Sequence, residues 1–384
     1  MKTVLLYTDS HSFCGVGTYN AALLSALCDA GYRAVCAQGR EDTPLQNELT
    51  AAGVRYHWFD YAPTDAPRRF ANDHEQAETI FQEIKPDLIV FSNGYPTETF
   101  AGIATARRLH IPYMIWEGHV RAEAFTQTQI PSDAMKLNYL AAKAVIFVAE
   151  QNREIVKSHF QMPDHFGLMI PTFAGTRFFE PVSQARRTEF RLKWGVPKDG
   201  IVCFTSAKFE PVKGYEVQIR ALEKLRETAL WPRLYFAWAG DGTYRKAVLK
   251  RLPELGLKDH VQLPGHVWNL PDYLDAADMM SLTSFAEGLP LTVLEGMAKG
   301  LPVIATDVGG NREALTGCGK IIAAPTDVDQ CADELATSII DWTENPGKRL
   351  QLSAASRTRA TARYSEDIVI GQQMQLICGL LQSP

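Results

Sequence analysis

The sequence predicts an α/β protein of two doubly wound domains, each a parallel sheet with helices on both faces, facing each other across a cleft. Three observations carry this. The chain has 384 residues, about twice the usual size of a single domain. Short apolar runs alternate with helix-period segments from end to end, the pattern of βαβ units. The alternation breaks once, at Pro171–Pro181, where two prolines bracket a stretch without periodicity, and then restarts.

In the first half, strands are expected at Thr3–Tyr7, Arg33–Ala37, Val54–Phe59, Leu88–Phe91, Tyr113–Trp116 and Val145–Val148. A helix separates the first two: Tyr19, Ala22, Leu23, Ala26 and Leu27 recur at helical spacing, and Gly31 ends it as a C-cap residue. That stripe is core packing and carries no function. After Pro181 strands are expected at Ile201–Thr205, Leu234–Ala239, Val261–Leu263, Met279–Leu282, Val303–Ala305 and Lys320–Ala323, with helices between them. Helical segments at Thr326–Trp342 and Pro346–Ala362 follow. The expected domains are residues 1–175 and 176–362, with a helical tail at 363–384 able to pack back on the first.

Hydrophobic residues make up 46% and charged residues 22% of the chain. These soluble-protein averages exclude a disordered tail, a fibre and a small disulfide-stapled scaffold. Residues 1–180 carry 15 Lys/Arg against 20 Asp/Glu, and the remainder 24 against 24, which gives the net charge of −5. With no broad basic excess, nucleic acid is not an expected partner, and peripheral membrane contact has no support from charge. The seven cysteines are scattered without a CxxC pair, which reads as reduced thiols in a cytoplasmic protein. Met1–Tyr7 has one lysine and a short apolar run before Asp9, too short for a signal-peptide core. No window approaches the ~18 apolar residues of a spanning helix.

Open α/β sheets bind ligands at the carboxyl ends of their strands, where loops enter helix N-termini. The strongest such segment runs from Ser284 to Ala305. A strand ends near Leu282, a Gly/Pro loop follows, and a helix opens near Pro290, a residue suited to a first helical turn. The amides of Leu289, Leu291 and Thr292, following Gly288, can then point at an anion. Glu287 precedes them, and Glu295 lies about one and a half turns into the helix beside Gly296. One carboxylate is placed to hold hydroxyls near a phosphate and the other to reach a ribose. For a bare Glu–Glu pair, a capping carboxylate plus a solvated helix face is the favoured reading.

The seven-residue spacing from Glu287 to Glu295, followed by Met-Ala-Lys-Gly-Leu-Pro-Val-Ile-Ala-Thr-Asp-Val-Gly-Gly, closely resembles family 4 of the retaining glycosyltransferases, which have the GT-B fold of two Rossmann-like domains. Ala239-Gly240-Asp241-Gly242, Val261 to Val267 and Leu274-Asp275-Ala276-Ala277-Asp278 match the family's nucleotide-binding half in order and spacing. The resemblance covers residues 200–315 strongly and the rest weakly.

After the strand at Ile201–Thr205, Lys208 and Lys213 lie five apart on a loop closed by Gly214. Such lysines can clamp a diphosphate as point charges, although exposed loop lysines are usually solvated. The family normally reads Gly-Arg and then Lys-Gly here, and its basic pair neutralises the leaving diphosphate. In this chain Lys213-Gly214 fits, whereas Ala207 and Lys208 replace the Gly-Arg. Lysine keeps the charge and loses the bidentate fork. At the N-terminus, Gly15 and Gly17 open the first helix, with Cys14 at the first of the family's paired glycines. Gly15-x-Gly17-x-x-Asn20 lacks the third glycine of a dinucleotide fingerprint, so a nicotinamide dehydrogenase is not expected.

His119 closes a strand-end loop at the position where the family sets a histidine against the donor sugar; a lone histidine there also fits a surface or capping residue. Glu117 and Arg121 are its neighbours, and His11 and the 93–99 loop are candidates for the acceptor side. Asp327-Val328-Asp329 reads as a helix N-cap rather than a metal site. Arg68-Arg69 and Arg107-Arg108, in helix-like segments, are able to touch an anionic acceptor or a membrane, with a solvated helix face as the default reading.

The resemblance implies a retaining transfer of a sugar from a nucleotide diphosphate-sugar, UDP favoured and GDP open, to an acceptor hydroxyl, with no metal and no other cofactor. In it, Lys208, Lys213 and the amides after Gly288 stabilise the departing diphosphate, Glu287 holds sugar hydroxyls, Glu295 the ribose, and Val267 meets the base through its backbone. Competing readings are a hydrolysing UDP-GlcNAc epimerase, a pyridoxal-phosphate phosphorylase, and a nucleotide-sugar-binding protein without transferase activity.

Overall fold

The computed structural model describes residues 1–9, 15–39, 44–59 and 73–382. They divide into two compact units. Met1–Thr172 forms the first together with the C-terminal helix Glu366–Gln382, and Phe173–Ser365 forms the second.

The first unit is built on a parallel sheet of seven strands: β1 (Thr3–Tyr7), β2 (Arg33–Gly39), β3 (Arg55–Phe59), β4 (Leu88–Asn93), β5 (Tyr113–Glu117), β6 (Ala144–Phe147) and β7 (Leu168–Met169). Their order is β3-β2-β1-β4-β5-β6-β7. The chain therefore reverses direction across the sheet between β1 and β4, where Val4 pairs with both Ala34 and Leu88. The helix Gly15–Asp29 buries Tyr19, Leu23 and Leu27 as its spacing requires, and Gly31 follows at φ +79°. The other face carries a cluster of rings in which Tyr7 meets Phe59, Phe81 and Phe91 at 5.3–5.7 Å. Helix Phe100–Arg108 reaches those rings through Gly102, where a Cβ would lie 2.9 Å from Tyr7 and Phe91. Strand β7 is not anticipated by the sequence: two residues, one of them exposed, carry no periodic signal.

The second unit has six parallel strands: β8 (Ile201–Ser206), β9 (Leu234–Ala239), β10 (Val261–Gly265), β11 (Met279–Leu282), β12 (Val303–Thr306) and β13 (Lys320–Ile322). Their order is β10-β9-β8-β11-β12-β13, with the reversal between β8 and β11. Asp327 caps helix Val328–Glu344, its side chain accepting from the Asp329 and Gln330 amides, as the sequence implies.

The aperiodic stretch after Pro171 is mostly fastened to this second unit. Ala174 bridges to Ser365 and donates to Tyr364 O at 2.8 Å, and Thr176–Phe179 forms a 3₁₀ turn with Phe178 buried. Arg357 donates to Phe179 O, and Ser183 N donates to Asp275 Oδ2 at 3.0 Å. The unit boundaries therefore fall at Thr172/Phe173 and Ser365/Glu366, a few residues from those read in the sequence. Helix Glu366–Gln382 packs on helix Gly15–Asp29 of the first unit.

One ion pair in the second unit is almost wholly enclosed: Lys299 Nζ lies 2.6 Å from Asp275 Oδ1, with the side chains 2% and 4% exposed. Removing one partner leaves an uncompensated buried charge. Lys299→Met is therefore expected to cost about 3–5 kcal/mol in urea unfolding, and the double change Lys299→Met/Asp275→Leu to recover most of it.

Candidate active site

The strands on either side of the reversal in the second sheet, β8 and β11, carry the two loops that the sequence singles out. Backbone contacts lace these loops together. Gly214 adopts φ +68°, and a Cβ on it would lie 1.9 Å from Thr283 O. Thr283 Oγ1 donates to Gly214 O at 2.9 Å, and Phe285 N donates to Val212 O at 2.8 Å. On the other side, Gly309 at φ +55° would place a Cβ 2.2 Å from Gly288 O, and Gly310 N donates to that oxygen at 2.6 Å. Gly240, at φ +138°, stands equally close to Ala207 O.

This frame brings Lys213 and Glu287 together. Lys213 Nζ lies 2.6 Å from Glu287 Oε1, which also accepts from Ser284 Oγ at 2.5 Å, with the side chains 23% and 10% exposed. Sequence spacing gave these two residues separate roles and did not show that they pair. Lys208 is exposed and has no acidic partner among the described residues. Helix Leu291–Ala298 starts one residue later than expected: Pro290 is its N-cap, at φ −71° and ψ 124°, not its first helical residue. Its carbonyl takes the Val293 and Leu294 amides at 3.1 and 3.5 Å. The Leu291 and Thr292 amides therefore stand at the helix mouth, where a helix leaves donors unpaired. Leu289 is buried, and Thr292 Oγ1 is a buried hydroxyl without a hydrogen-bond partner among the described residues. Burial pushes the Glu295 carboxyl up to about 7, against the pull of the Arg177 guanidinium. Gly296, beside it, is required by the sheet rather than by a ligand: a Cβ there would meet Met280 Sδ at 2.2 Å.

Val267 sits half-buried on the loop after β10. Its neighbour Trp268 is 71% exposed, with its ring edge-on to His266 at 4.7 Å. Trp268 is a candidate ligand contact that the sequence reading missed; an aromatic residue in a strand-end loop was the available signal.

In the first unit, Gly15 begins its helix exposed and Gly17 is buried within it. His11, Cys14 and Arg68-Arg69 lie outside the described residues. Arg107 and Arg108 are taken up inside the unit, by Asn138 Oδ1 at 3.0 Å and by Glu78 at 2.6 Å. His119 is half-buried, accepts from Arg121 Nε at 3.3 Å and lies edge-on to Tyr95. Glu117, two residues before it at the end of β5, is fully buried. Glu117 Oε1 accepts from Tyr139 OH at 2.8 Å and Asn93 Nδ2 at 3.2 Å, while Oε2 has no partner among the described residues. Burial pushes this carboxyl up to about 8, against both hydrogen bonds. On the 93–99 loop, Glu98 Oε2 accepts from Gly94 N at 2.7 Å. Burial and then the neighbouring Asp9 carboxyl hold Glu98 well above the usual carboxylate range. Two acids therefore share the carboxyl end of β1 and β4, at the first sheet's reversal.

Among the described residues no group of three or more His, Cys, Asp or Glu side chains is placed to hold a metal ion. No described helix is long and apolar enough to cross a membrane.

Two family models match the chain in succession, "Glycosyltransferase Family 4" over residues 13–172 and "Glycosyl transferases group 1" over residues 186–359. The mannosylfructose-phosphate synthase of Agrobacterium fabrum is 33% identical over 172 residues, covering 42% of this chain and 37% of that protein. A GDP-mannose-dependent monoacylated α-(1-6)-phosphatidylinositol monomannoside mannosyltransferase of Corynebacterium glutamicum is 24% identical over 307 residues, 77% of each chain. The chain spans about half the length of several curated relatives it matches, between 37% and 59%. The crystal structure of Anabaena HepE in complex with UDP-glucose superposes with a TM-score of 0.79 at 18% identity, covering 99% of this chain and 100% of that one. At that identity the likeness establishes the fold, two parallel-sheet Rossmann-like domains of the GT-B kind.

Two outcomes are expected from this geometry. Gly309→Ala forces a Cβ into the Gly288 carbonyl at a left-handed φ and should destabilise the protein by about 2–4 kcal/mol in chemical denaturation. Because Glu117 is held protonated in the fold but ionises near 4.5 when unfolded, stability should fall as pH rises from about 5 toward 8, by up to about 4 kcal/mol. Glu117→Gln should remove that part of the slope, leaving denaturant midpoints flatter over the same range.

Proposed function

We propose, from the premise that this chain belongs to glycosyltransferase family 4, that it moves a sugar from a nucleotide diphosphate-sugar to an acceptor hydroxyl with retention at the anomeric carbon. The observation that carries the reading is the Lys213–Glu287 pair at the reversal of the second sheet, beside the amides of helix Leu291–Ala298. Charge develops on the leaving diphosphate during such a transfer, and preorganised cations and amides are the means of stabilising it. An ammonium has three donors, so Lys213 can hold Glu287 and a phosphate oxygen together. Lys208, exposed on the same loop, adds a second point charge. The Leu291 and Thr292 amides and the helix dipole add to it.

Glu287 is oriented by Lys213 and Ser284 and retains a second carboxylate oxygen for sugar hydroxyls. Glu295 takes the ribose. Its raised pKa fits a group that enters hydroxyl hydrogen bonds without bringing a full charge to the diphosphate. Val267 meets the base through its backbone, with Trp268 as an aromatic face beside it. On the first unit, His119 faces the donor sugar, and the 93–99 loop with Asp9 and Glu98 receives the hydroxyl-bearing acceptor. The reaction needs no metal in this scheme, because lysine charge and amides do that work. UDP is the favoured donor base and GDP the alternative; HepE binds UDP-glucose and the corynebacterial relative is named for GDP-mannose.

Calorimetry and thermal shift with UDP, GDP, ADP and their sugar conjugates, all in EDTA, should show stabilisation by one nucleotide series. If none binds, the assignment of Lys208, Lys213, Glu287 and Glu295 to a donor site fails. Lys213→Ala should lower kcat by roughly 10²-fold or more and raise donor KM; near-normal turnover would remove it from the mechanism. Glu287→Ala should abolish transfer yet spare nucleotide diphosphate binding, because it removes a carboxylate, not a cation, from the diphosphate's surroundings.

A further inference from the structure

A cavity of about 590 Å³ opens in the second unit at the amino end of its sheet. It is flanked by Asp278, just before β11, and by Leu301, just before β12, so it lies at the opposite end of the strands from Glu287. Its size is within the range of small-molecule sites, roughly 300–1,000 Å³. One wall is helix Pro346–Arg363, which presents Arg349, Ser353 and Arg357 at four-residue spacing, a single row on the helix surface.

The charges in the wall do not balance. Lys299 is consumed by Asp275 at 2.6 Å. Asp278, the cavity's carboxylate, already holds Arg187 at 2.6 Å and Arg191 at 2.9 Å and accepts from Val202 N at 2.8 Å. Arg349 and Arg357 are left with main-chain carbonyls as their hydrogen-bond partners: Trp342 O for Arg349, and Ala298 O and Phe179 O for Arg357. Most of the Arg349 N–H donors therefore have no acceptor among the described residues. Burial lowers the Arg349 pKa; Asp278 opposes this, and Arg187 and Arg233 push the same way as burial. A half-buried guanidinium with more cations than anions around it is stabilised by an added anion. Between the arginines, Leu350 is 68% exposed and Ala354 is exposed, and both line the cavity together with Val182 and Pro181.

We infer that this cavity is a second small-molecule site, which takes a phosphate-bearing organic molecule with its phosphate on Arg349 and Arg357 and its organic part against Leu350 and Ala354. Arginine forks match the oxygens of a phosphate, and the apolar wall favours an ester over the free ion. The site stands apart from the donor loops and does not depend on the proposed transferase activity.

The test is calorimetric titration of the full chain with glucose 6-phosphate, and separately with inorganic phosphate, in four proteins. These are the wild type, Arg349→Gln, the cavity-filling Ala354→Trp, and Lys213→Ala, each checked for an unchanged far-UV spectrum and thermal midpoint. Saturable binding of the ester, about tenfold weaker or more in Arg349→Gln and in Ala354→Trp and unchanged in Lys213→Ala, is expected. Because Ala354 is exposed and keeps the arginines in place, its variant remains informative if Arg349→Gln is unstable. Binding lost in Lys213→Ala and kept in the cavity variants would place the ester at the donor loops and overturn the assignment. So would the absence of saturable binding up to the order of 10 mM. Equal affinity for inorganic phosphate would overturn the apolar half of the site.

Discussion

The geometry of the second unit's functional edge rests on backbone approaching backbone at distances that only glycine permits. Gly214 against Thr283 O, Gly240 against Ala207 O and Gly309 against Gly288 O leave no room for a Cβ, and each has a positive φ. A loop packed in this way has few alternative arrangements, because its neighbours occupy the space into which it would relax. Side chains carried on it inherit that order without the entropy cost of ordering at the moment of binding. Lys213 is the residue before one of these glycines, and Glu287 precedes Gly288, the partner of another. Their 2.6 Å contact is therefore a product of the backbone frame as much as of charge.

The pair has a chemical consequence. A lysine facing an empty site attracts any anion, whereas one shared with a carboxylate presents a weaker and more directional field. Glu287 is in turn oriented by two donors, Lys213 and Ser284. Burial of the surrounding groups strengthens these interactions relative to water. The first unit solves a different problem at the corresponding edge. Its acids, Glu117 and Glu98, have no cation paired with them among the described residues, and burial drives their pKa values up rather than down. Neutral carboxyls of this kind can both donate and accept, which suits recognition of hydroxyls more than of phosphate. The contrast follows from one variable, the presence or absence of a counter-charge at a strand end.

Much of this was legible in the sequence. Apolar periodicity located twelve of the thirteen strands among the described residues, since a parallel strand buried on both faces must be a run of apolar residues. Only β7 escaped, because two residues with one side exposed give no period. The Glu287 to Glu295 segment and Lys213-Gly214 stood out because glycine and proline mark places where backbone must turn tightly, and composition records that directly. The start of helix Leu291–Ala298 was misplaced by one residue, as Pro290 is tolerated both as a cap and in the first turn and only its ψ of 124° separates the two.

By itself the sequence determined the fold class, the two-unit organisation and the loops that carry the chemistry, because each depends on interactions among residues near in the chain. The tertiary structure decided what those loops do to one another. Seventy-odd residues separate Lys213 from Glu287, and the sheet order β10-β9-β8-β11-β12-β13 makes their strands adjacent. The burial of Glu117, the approach of Gly296 to Met280 and the uncompensated guanidinium of Arg349 are likewise sums over distant elements. No local pattern records them, since burial and field at a side chain are set by everything packed around it.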